Sequence, residues 1–456
     1  MPSFQKIAKP LVQNLPYAPN SAHWFARVRD LGTPVWLDSA WPFSRRGRYD
    51  IISAAPLTLI CSTDKTDFFA DLRDMLDQLE PIETDDGLPF HGGAIALLSY
   101  EYGRRLHALP PRNDHLQFPS ALAGIYSWAI VCDHQQQRTT LIIRPEAPAS
   151  LREELQRRLH CAFALPDAHF ALNSTWQDDF PADRYREAFS RLQEYIRAGD
   201  CYQVNLARRF HAGYEGDPFA AYVRLREIAA APYSAYFEYQ TETNESSAVL
   251  SFSPERFLAA NNRELLTQPI KGTAPRNIDP VRDRTLAEQL QSSEKNRAEN
   301  LMIVDLLRND LGRSCRPGSI HVEQLFELQS FATVHHLVSS IRGELRDDIH
   351  VLDALKNCFP GGSITGAPKH RAMQIIDELE PNARSIFCGT IGYIDCNGNM
   401  DTNITIRTLL AQKQNSQQAI YAWAGGGIVA DSHCDEELQE TNNKIDALLN
   451  AVPVGR

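Results

Sequence analysis

The chain has 456 residues, 43% of them hydrophobic and 23% charged, with a formal net charge of −11. This is the composition of an ordinary globular protein of two to four domains or one unusually large one. The acidic balance and the lack of any long Lys/Arg block exclude a general nucleic-acid binder, and no apolar run reaches the roughly 18 residues of a membrane span.

The opening stretch MPSFQKIAKPLV lacks the apolar core of a signal peptide, so the cytoplasm is the expected location. Nine cysteines, scattered from Cys61 to Cys434 without a CxxC pair, predict reduced thiols rather than a disulfide framework or a zinc site. In the first part of the chain LTLIC, GGAIALLSY, YSWAIVC and RTTLIIR read as strands, with a few helices between them. A polar stretch rich in aromatics follows, and then a helix beginning near Arg184. Tyr185, Phe189, Leu192, Tyr195 and Ile196 share one face of that helix, and Gly199 is its natural stop. The domain boundary is expected there, giving an amino-terminal domain over 1–170 and a second over 181–456. The second half mixes strands (AVLSFS, IFCGTIGYI, AIYAWAGGGIV) with helices near Glu294–Asp310 and Asp435–Ala451. Few strand–helix–strand alternations occur, which points to α/β or α+β with large, mainly antiparallel sheets.

Two glycine-rich stretches resemble phosphate loops. FPGGSITGAPK has Gly361 and Gly366 but places Ala367 and Pro368 where a P-loop needs its lysine and hydroxyl, so the nucleotide reading fails. AGGGIV, with Gly425, Gly426 and Gly427 in a row, lacks the dinucleotide spacing. Taken alone it reads as a structural turn, although its bare N–H groups could hold a carboxylate.

The isolated polar groups carry more information. Lys271, in TQPIKGTAPR, ends a run that reads as a strand and precedes Gly272 and Thr273, where backbone approaches ligands easily. Glu437 and Glu440 share a face of the last helix beside the apolar stripe of Leu438, Ile445 and Leu449. Their ordinary reading is a solvated edge with a Glu440–Lys444 pair. Glu299 precedes the apolar run of another helix, and two or three such carboxylates suit Mg²⁺, which takes oxygen ligands and keeps part of its water. Glu255 interrupts SFSPERF, His336 sits in TVHHLVSS, and Arg407 is a lone cation in what reads as a β-branched strand. A structural salt bridge or a satisfied core histidine is the ordinary reading of the last two.

In chain order, GDCYQVNLARRF, SFSPERF, TQPIKGTAPR, EKNRAENLMIVDLLRNDLGR, VHHLVSSIRGEL, GGSITGAPK, ITIRTL, AGGGIVADS and EELQETNNK resemble the blocks of the chorismate-utilising enzymes. That family includes the large subunits of anthranilate synthase and aminodeoxychorismate synthase, and the isochorismate and salicylate synthases. The resemblance is strong over about 185–450. It reaches the amino-terminal part through PVWLDSA, GRYDIISAAP and GGAIALLSYEYG, which look like the amino-terminal domain of the two aminating synthases. It implies an α+β fold whose large antiparallel sheets form a sandwich-like core with helices packed outside.

Within the family, a lysine in the PIxGT block resembles the aminodeoxychorismate synthase component I branch; anthranilate synthases carry alanine there. Gln203 stands where the water-using synthases carry lysine, which disfavours water as nucleophile. The resemblance therefore implies conversion of chorismate and ammonia to 4-amino-4-deoxychorismate, on the route to 4-aminobenzoate and folate, through a covalent adduct of Lys271. An anthranilate synthase-like component I and a non-catalytic amino-acid-binding relative are the alternatives. By the same matching, Glu255 is the general acid and His336 lies beside the departing hydroxyl. Glu299 and Glu440 are Mg²⁺ ligands, with Glu437 acting through water. Arg407, the Gly425–Gly427 backbone, Thr273 and Lys444 face the substrate.

No segment carries a glutaminase cysteine, so a separate glutamine amidotransferase partner is implied, with free ammonia as its substitute. Leu37, Asp38 and Ser39, with Arg48 and Tyr49, resemble the tryptophan-binding region of relatives.

Overall fold

The computed structural model describes residues 9–452 apart from 45, 63–65, 83–85, 162, 164–167, 241–244, 332–333 and 415–416. Two large sheets dominate. The thirteen-stranded sheet runs from Leu11–Leu15 through Arg138–Ile143, Trp128–Asp133, Tyr49–Ser53, Val35–Asp38, Tyr233–Gln240, Ser246–Ser253, Thr408–Gln414, Gln417–Ile428 and Gln203–Gly216 to Gln177–Asp178. The ten-stranded sheet runs from Ile270–Pro275 through Val334–Glu344, Glu264–Gln268, Arg256–Asn261, Met400–Asn403, Thr390–Asp395, Gly93–Leu98 and Ala121–Tyr126 to Thr58–Cys61. Both halves of the chain enter both sheets. Ser234–Phe237 pairs antiparallel with Val35–Asp38, and Thr390–Asp395 pairs antiparallel with Gly93–Leu98.

Alternation along the strands explains the layering, because successive side chains point to opposite faces. Val35, Ile51, Val131 and Ile142 enter the core shared with the ten-stranded sheet, whose strand Gly93–Leu98 is buried on both faces. Their neighbours Trp36, Ile52, Ile130 and Ile143 enter a second core on the other face of the thirteen-stranded sheet. There they meet Phe25, Tyr222, Leu155 and Leu448, carried by four helices. This is the α+β sandwich with outer helices that the sequence blocks imply.

The helix expected near Arg184 spans Ala182–Ala198 and ends where Gly199 adopts φ 83°. Gly199 N donates to Ile196 O and Asp200 N to Tyr195 O, closing the last turn. Two further helices frame the candidate site. Glu294–Gly312 is capped by Ser293, whose hydroxyl accepts from Asn296 N, and buries Asn300, Ile303, Val304 and Leu307. Cys434–Leu449 buries Glu437, Thr441, Ile445 and Leu448. No disulfide joins the cysteines among the described residues. Among the described residues, no helix is long and apolar enough to cross a membrane.

Candidate active site

Two of the places where the polypeptide passes from one sheet to the other are neighbours, and each of these crossings carries a charged residue. Glu255 lies between Ser246–Ser253 of one sheet and Arg256–Asn261 of the other, and Arg407 lies between Met400–Asn403 and Thr408–Gln414. The crossings are tied together, since Ile404 N donates to Glu255 O and Phe252 N donates to Arg407 O, each at 3.0 Å. Arg407 therefore does not occupy the strand its sequence context suggests. It adopts φ 51°, a left-handed conformation that costs a non-glycine residue roughly 1–3 kcal/mol and concentrates at functional sites. The expected structural salt bridge is also missing. The Arg407 guanidinium has no hydrogen-bond or ion-pair partner among the described residues, while the Glu255 charge acts on it.

Lys271 is in a strand rather than a surface turn. Ile270–Pro275 pairs with Val334–Glu344, and the register shifts between Ile270 and Thr273, so Lys271 and Gly272 leave the ladder. Gly272 adopts φ 88°, and a Cβ there would lie 3.1 Å from Leu290 and 3.2 Å from Asn296. The freed Lys271 Nζ donates to the Ser363 carbonyl at 3.1 Å and lies 3.3 Å from Glu299 Oε1. Gln203 Nε2 donates to the same carboxylate oxygen at 2.9 Å.

The candidate acid, Glu255, is buried. Burial raises its pKa, opposed by the Lys271 and Lys444 charges and by hydrogen bonds from Ser363 and the Ile270 backbone. The Ser363 hydroxyl donates to Glu255 Oε1 at 2.8 Å. His336 pairs in register with Thr273, and its Nδ1 lies 2.8 Å from the Thr273 hydroxyl. Burial, reinforced by the Arg407, Arg46 and His335 charges, lowers the His336 pKa to about 3. His336 is accordingly a neutral imidazole near neutral pH.

The three glycines form no turn; they lie inside the strand Gln417–Ile428, where side chains from two helices need the room. A Cβ on Gly426 would lie 3.1 Å from Glu437 Oε2, and one on Gly427 would lie 2.1 Å from Gln203 Nε2 and 3.3 Å from Glu299 Oε1. Glu299 and Glu437 thus border adjacent positions of one bare strand. Glu437 is buried and accepts from the Ser432 hydroxyl at 2.6 Å; burial raises its pKa. Glu440 is on the outer edge, paired with Lys444 at 2.7 Å, as the spacing predicted. Burial opposes its charge, but Lys444, Lys295 and Lys271 hold its carboxyl below the usual range. Lys444 Nζ also donates to Gly425 O at 3.0 Å.

Among the described residues no group of three or more His, Cys, Asp or Glu side chains is arranged to hold a metal ion. Two oxygen donors beside a stretch without side chains nevertheless fit Mg²⁺, which uses one or two protein carboxylates and completes its shell with water and substrate.

Of the amino-terminal residues, Leu37 and Asp38 end one strand and Tyr49 begins the strand paired with it, while Ser39 and Arg48 lie just outside those strands. Leu37 packs against the core, and the polar groups are engaged within the chain. Asp38 binds Arg226 and Tyr222, the Ser39 hydroxyl donates to Asp50, Arg48 pairs with Asp133, and the Tyr49 hydroxyl donates to Gly87 O.

Two residues near the site escaped sequence reasoning. Ser363 lies in GGSITGAPK, which fails as a phosphate loop and matches a family block, and neither reading gives its serine a role. Arg46 stacks over Phe331, 4.9 Å from its ring centroid, and Phe331 in turn packs edge-on against His336 at 5.2 Å. No spacing joins Arg46 to residues nearly three hundred positions away.

Inter-sheet crossings, two helices and a bare glycine strand thus gather acids and cations in one place. The chain belongs to the chorismate binding enzyme family, whose model matches residues 35–450. It is similar to aminodeoxychorismate synthase component 1 of Salmonella typhimurium, at 44% identity over 98% of this chain and 99% of that protein. The Escherichia coli protein of the same name is 43% identical over 97% of this chain and 99% of its own length. Among solved structures, anthranilate synthase component I from Streptococcus pneumoniae superposes with a TM-score of 0.77 at 28% identity, covering 89% of this chain and 92% of that one.

Proposed function

We propose that the chain replaces the C4 hydroxyl of chorismate with an amine, giving 4-amino-4-deoxychorismate and water. The observation that carries this reading is Lys271, whose amine lies beside Glu299 and within the electrostatic reach of the buried Glu255. The relatives that share nearly the whole chain are named for this synthase.

In the proposed chemistry the neutral Lys271 amine forms a bond to C2. Both conjugated ring double bonds shift, C1=C2 to C6=C1 and C5=C6 to C4=C5, and the C4–O bond breaks; the hydroxyl leaves as water with a proton from Glu255. Ammonia then bonds to C4, both double bonds shift back, and the C2–N bond breaks to return the lysine amine. Two such conjugate displacements place nitrogen at C4, whereas direct attack by ammonia at C2 would give the anthranilate regiochemistry. Arg407, whose guanidinium has no partner among the described residues, and Lys444 supply positive charge for the substrate carboxylates. Neutral His336, held by Thr273, adds polarity beside the departing hydroxyl without adding charge. Glu299 and Glu437, with Glu440 one helical turn beyond Glu437, would hold Mg²⁺. Bound there, the ion would neutralise a substrate carboxylate and draw electron density from the ring. The words "component 1" in the relatives' names support a partner subunit, which in this reading is an amidotransferase that supplies the ammonia.

The test is the product formed from chorismate, Mg²⁺ and ammonium, with aminodeoxychorismate lyase as coupling enzyme. The proposal expects 4-aminobenzoate only when the lyase is present; anthranilate formed directly would replace it with the anthranilate synthase reading.

A further inference from the structure

Ser363 lies in the short 3-10 helix Gly362–Ile364 and is buried. It contacts two of the proposed reacting groups through different atoms. Its hydroxyl donates to Glu255 Oε1 at 2.8 Å, and its carbonyl accepts from Lys271 Nζ at 3.1 Å. Bonds on either side hold it in place. Arg384, fully buried and paired with Glu380, donates through Nη1 to Ile364 O at 2.9 Å and through Nη2 to Asn205 O at 2.7 Å. Asn205 N in turn donates to Thr365 O at 2.8 Å, and the Thr365 hydroxyl donates to Gly361 O at 3.0 Å. At Gly362 a Cβ would fall 2.5 Å from Leu306 Cδ2, so this backbone packs directly on the helix that carries Glu299. Lys369, three residues past Gly366, fastens the same helix by donating to Asp310 at 2.7 Å and to Cys358 O at 2.9 Å.

We infer that Ser363 is a positioning residue that sets the acid and the amine relative to each other, its hydroxyl orienting Glu255 and its carbonyl directing Lys271. The inference rests on the proposed roles of those two residues. A buried serine that merely satisfies a buried carboxylate would share the first hydrogen bond but not the second. Other groups act on Glu255 as well: the Lys271, Lys444 and Arg407 charges, the Cys388 thiol and the Ile270 backbone. None of them joins the acid to the amine through one residue.

The experiment compares wild type, Ser363→Ala and Ser363→Thr, each with Mg²⁺, chorismate and ammonium, measuring kcat and KM across pH. Intact-mass analysis after reaction without ammonia measures the fraction of Lys271 carrying the substrate adduct. A hydrogen bond to a charged group carries weight in a dry site, so Ser363→Ala is expected to lose about tenfold or more in kcat with KM little changed. Loss of the donor disfavours the ionised acid, so the alkaline limb of its profile moves to higher pH, and less adduct accumulates. Ser363→Thr, which keeps both hydroxyl and carbonyl, is expected to stay within a few-fold of wild type.

A Ser363→Ala protein with wild-type kcat and an unmoved limb overturns the inference. So does a Ser363→Thr protein as impaired as Ser363→Ala, because packing would then explain both. A wild-type enzyme that forms 4-amino-4-deoxychorismate with no lysine adduct sinks the Lys271 reading instead. The limb comparison would still decide whether Ser363 orients Glu255.

Discussion

Lys271 Nζ lies 3.3 Å from Glu299 Oε1, with the two side chains only 11% and 18% exposed. Water can screen such a pair only weakly, so the proposed nucleophile and a proposed metal ligand form one electrostatic unit. Lys271→Ala is expected to abolish the lyase-dependent 4-aminobenzoate signal, a fall on the order of 10³ or more in kcat. Lys271→Arg should not restore it, because a guanidinium stays protonated and cannot act as an amine nucleophile. Product chromatography on all three proteins decides; a Lys271→Ala enzyme that still makes the 4-amino product removes the lysine from the chemistry.

Metal binding gives a second prediction, read without turnover. Excess Mg²⁺ should raise the melting temperature of wild type, since a ligand bound only by the folded state stabilises it. Glu299→Ala and Glu437→Ala should abolish that rise. Glu440→Ala should only weaken it, because Glu440 is 53% exposed and already paired with Lys444. Gly427→Ala should resemble Glu299→Ala, its methyl falling 2.1 Å from Gln203 Nε2 and against the carboxylate. An equal Mg²⁺ response in all five proteins would place the ion elsewhere.

The buried neutral imidazole of His336 predicts a pH dependence of stability. Its folded pKa, about 3, lies below the unfolded value of ~6.5, so the unfolded chain takes up the proton first. The contribution of the neutral ring is complete above about pH 6.5 and is lost as pH falls from there toward 3, at no more than ~1.4 kcal/mol per unit. Urea denaturation of wild type and His336→Gln at pH 7, 6, 5 and 4 isolates the effect. The wild-type excess in stability should shrink with falling pH, and parallel curves would refute the assignment.

In the amino-terminal part, Asp38 and Arg226 form a bidentate pair with both side chains fully buried. Removing one partner strands the other charge, so Asp38→Asn should cost about 3 kcal/mol of unfolding free energy. Replacing both residues by apolar ones of similar size should cost less. Chemical denaturation measures both, and an Asp38→Asn loss below that of the double replacement would contradict this account.

Much of the architecture was legible because it rests on periodicity. The strand runs LTLIC, GGAIALLSY, YSWAIVC and RTTLIIR, the stripe of Tyr185, Phe189 and Leu192, and the stop at Gly199 are local signals, and the structure keeps them. Arg407 was misplaced for an instructive reason: NITIRTLL has strand propensity throughout, yet the chain changes sheets within it. Only the mutual anchoring of Ile404 with Glu255 and Phe252 with Arg407 reveals the break. Gly425–Gly427 was misread because the crowding that demands glycine comes from Gln203, Glu299 and Glu437, remote in sequence. The acids and cations of the site could be nominated by family resemblance. Ser363 could not, because its importance lies in what its two ends touch.

The inter-sheet crossings at Glu255 and Arg407 constrain how this gene can vary in length. Each passes from one sheet to the other in two to four residues, and each is hydrogen-bonded to its counterpart, so neither has slack to absorb an added residue. An insertion between Ser253 and Arg256, or between Asn403 and Thr408, would turn the following strand over and carry its buried face to the wrong side. The hairpin at Asn397–Gly398 has no such tether to the site. Descendants of this sequence should therefore gain and lose residues at hairpins while the two crossings keep a fixed count.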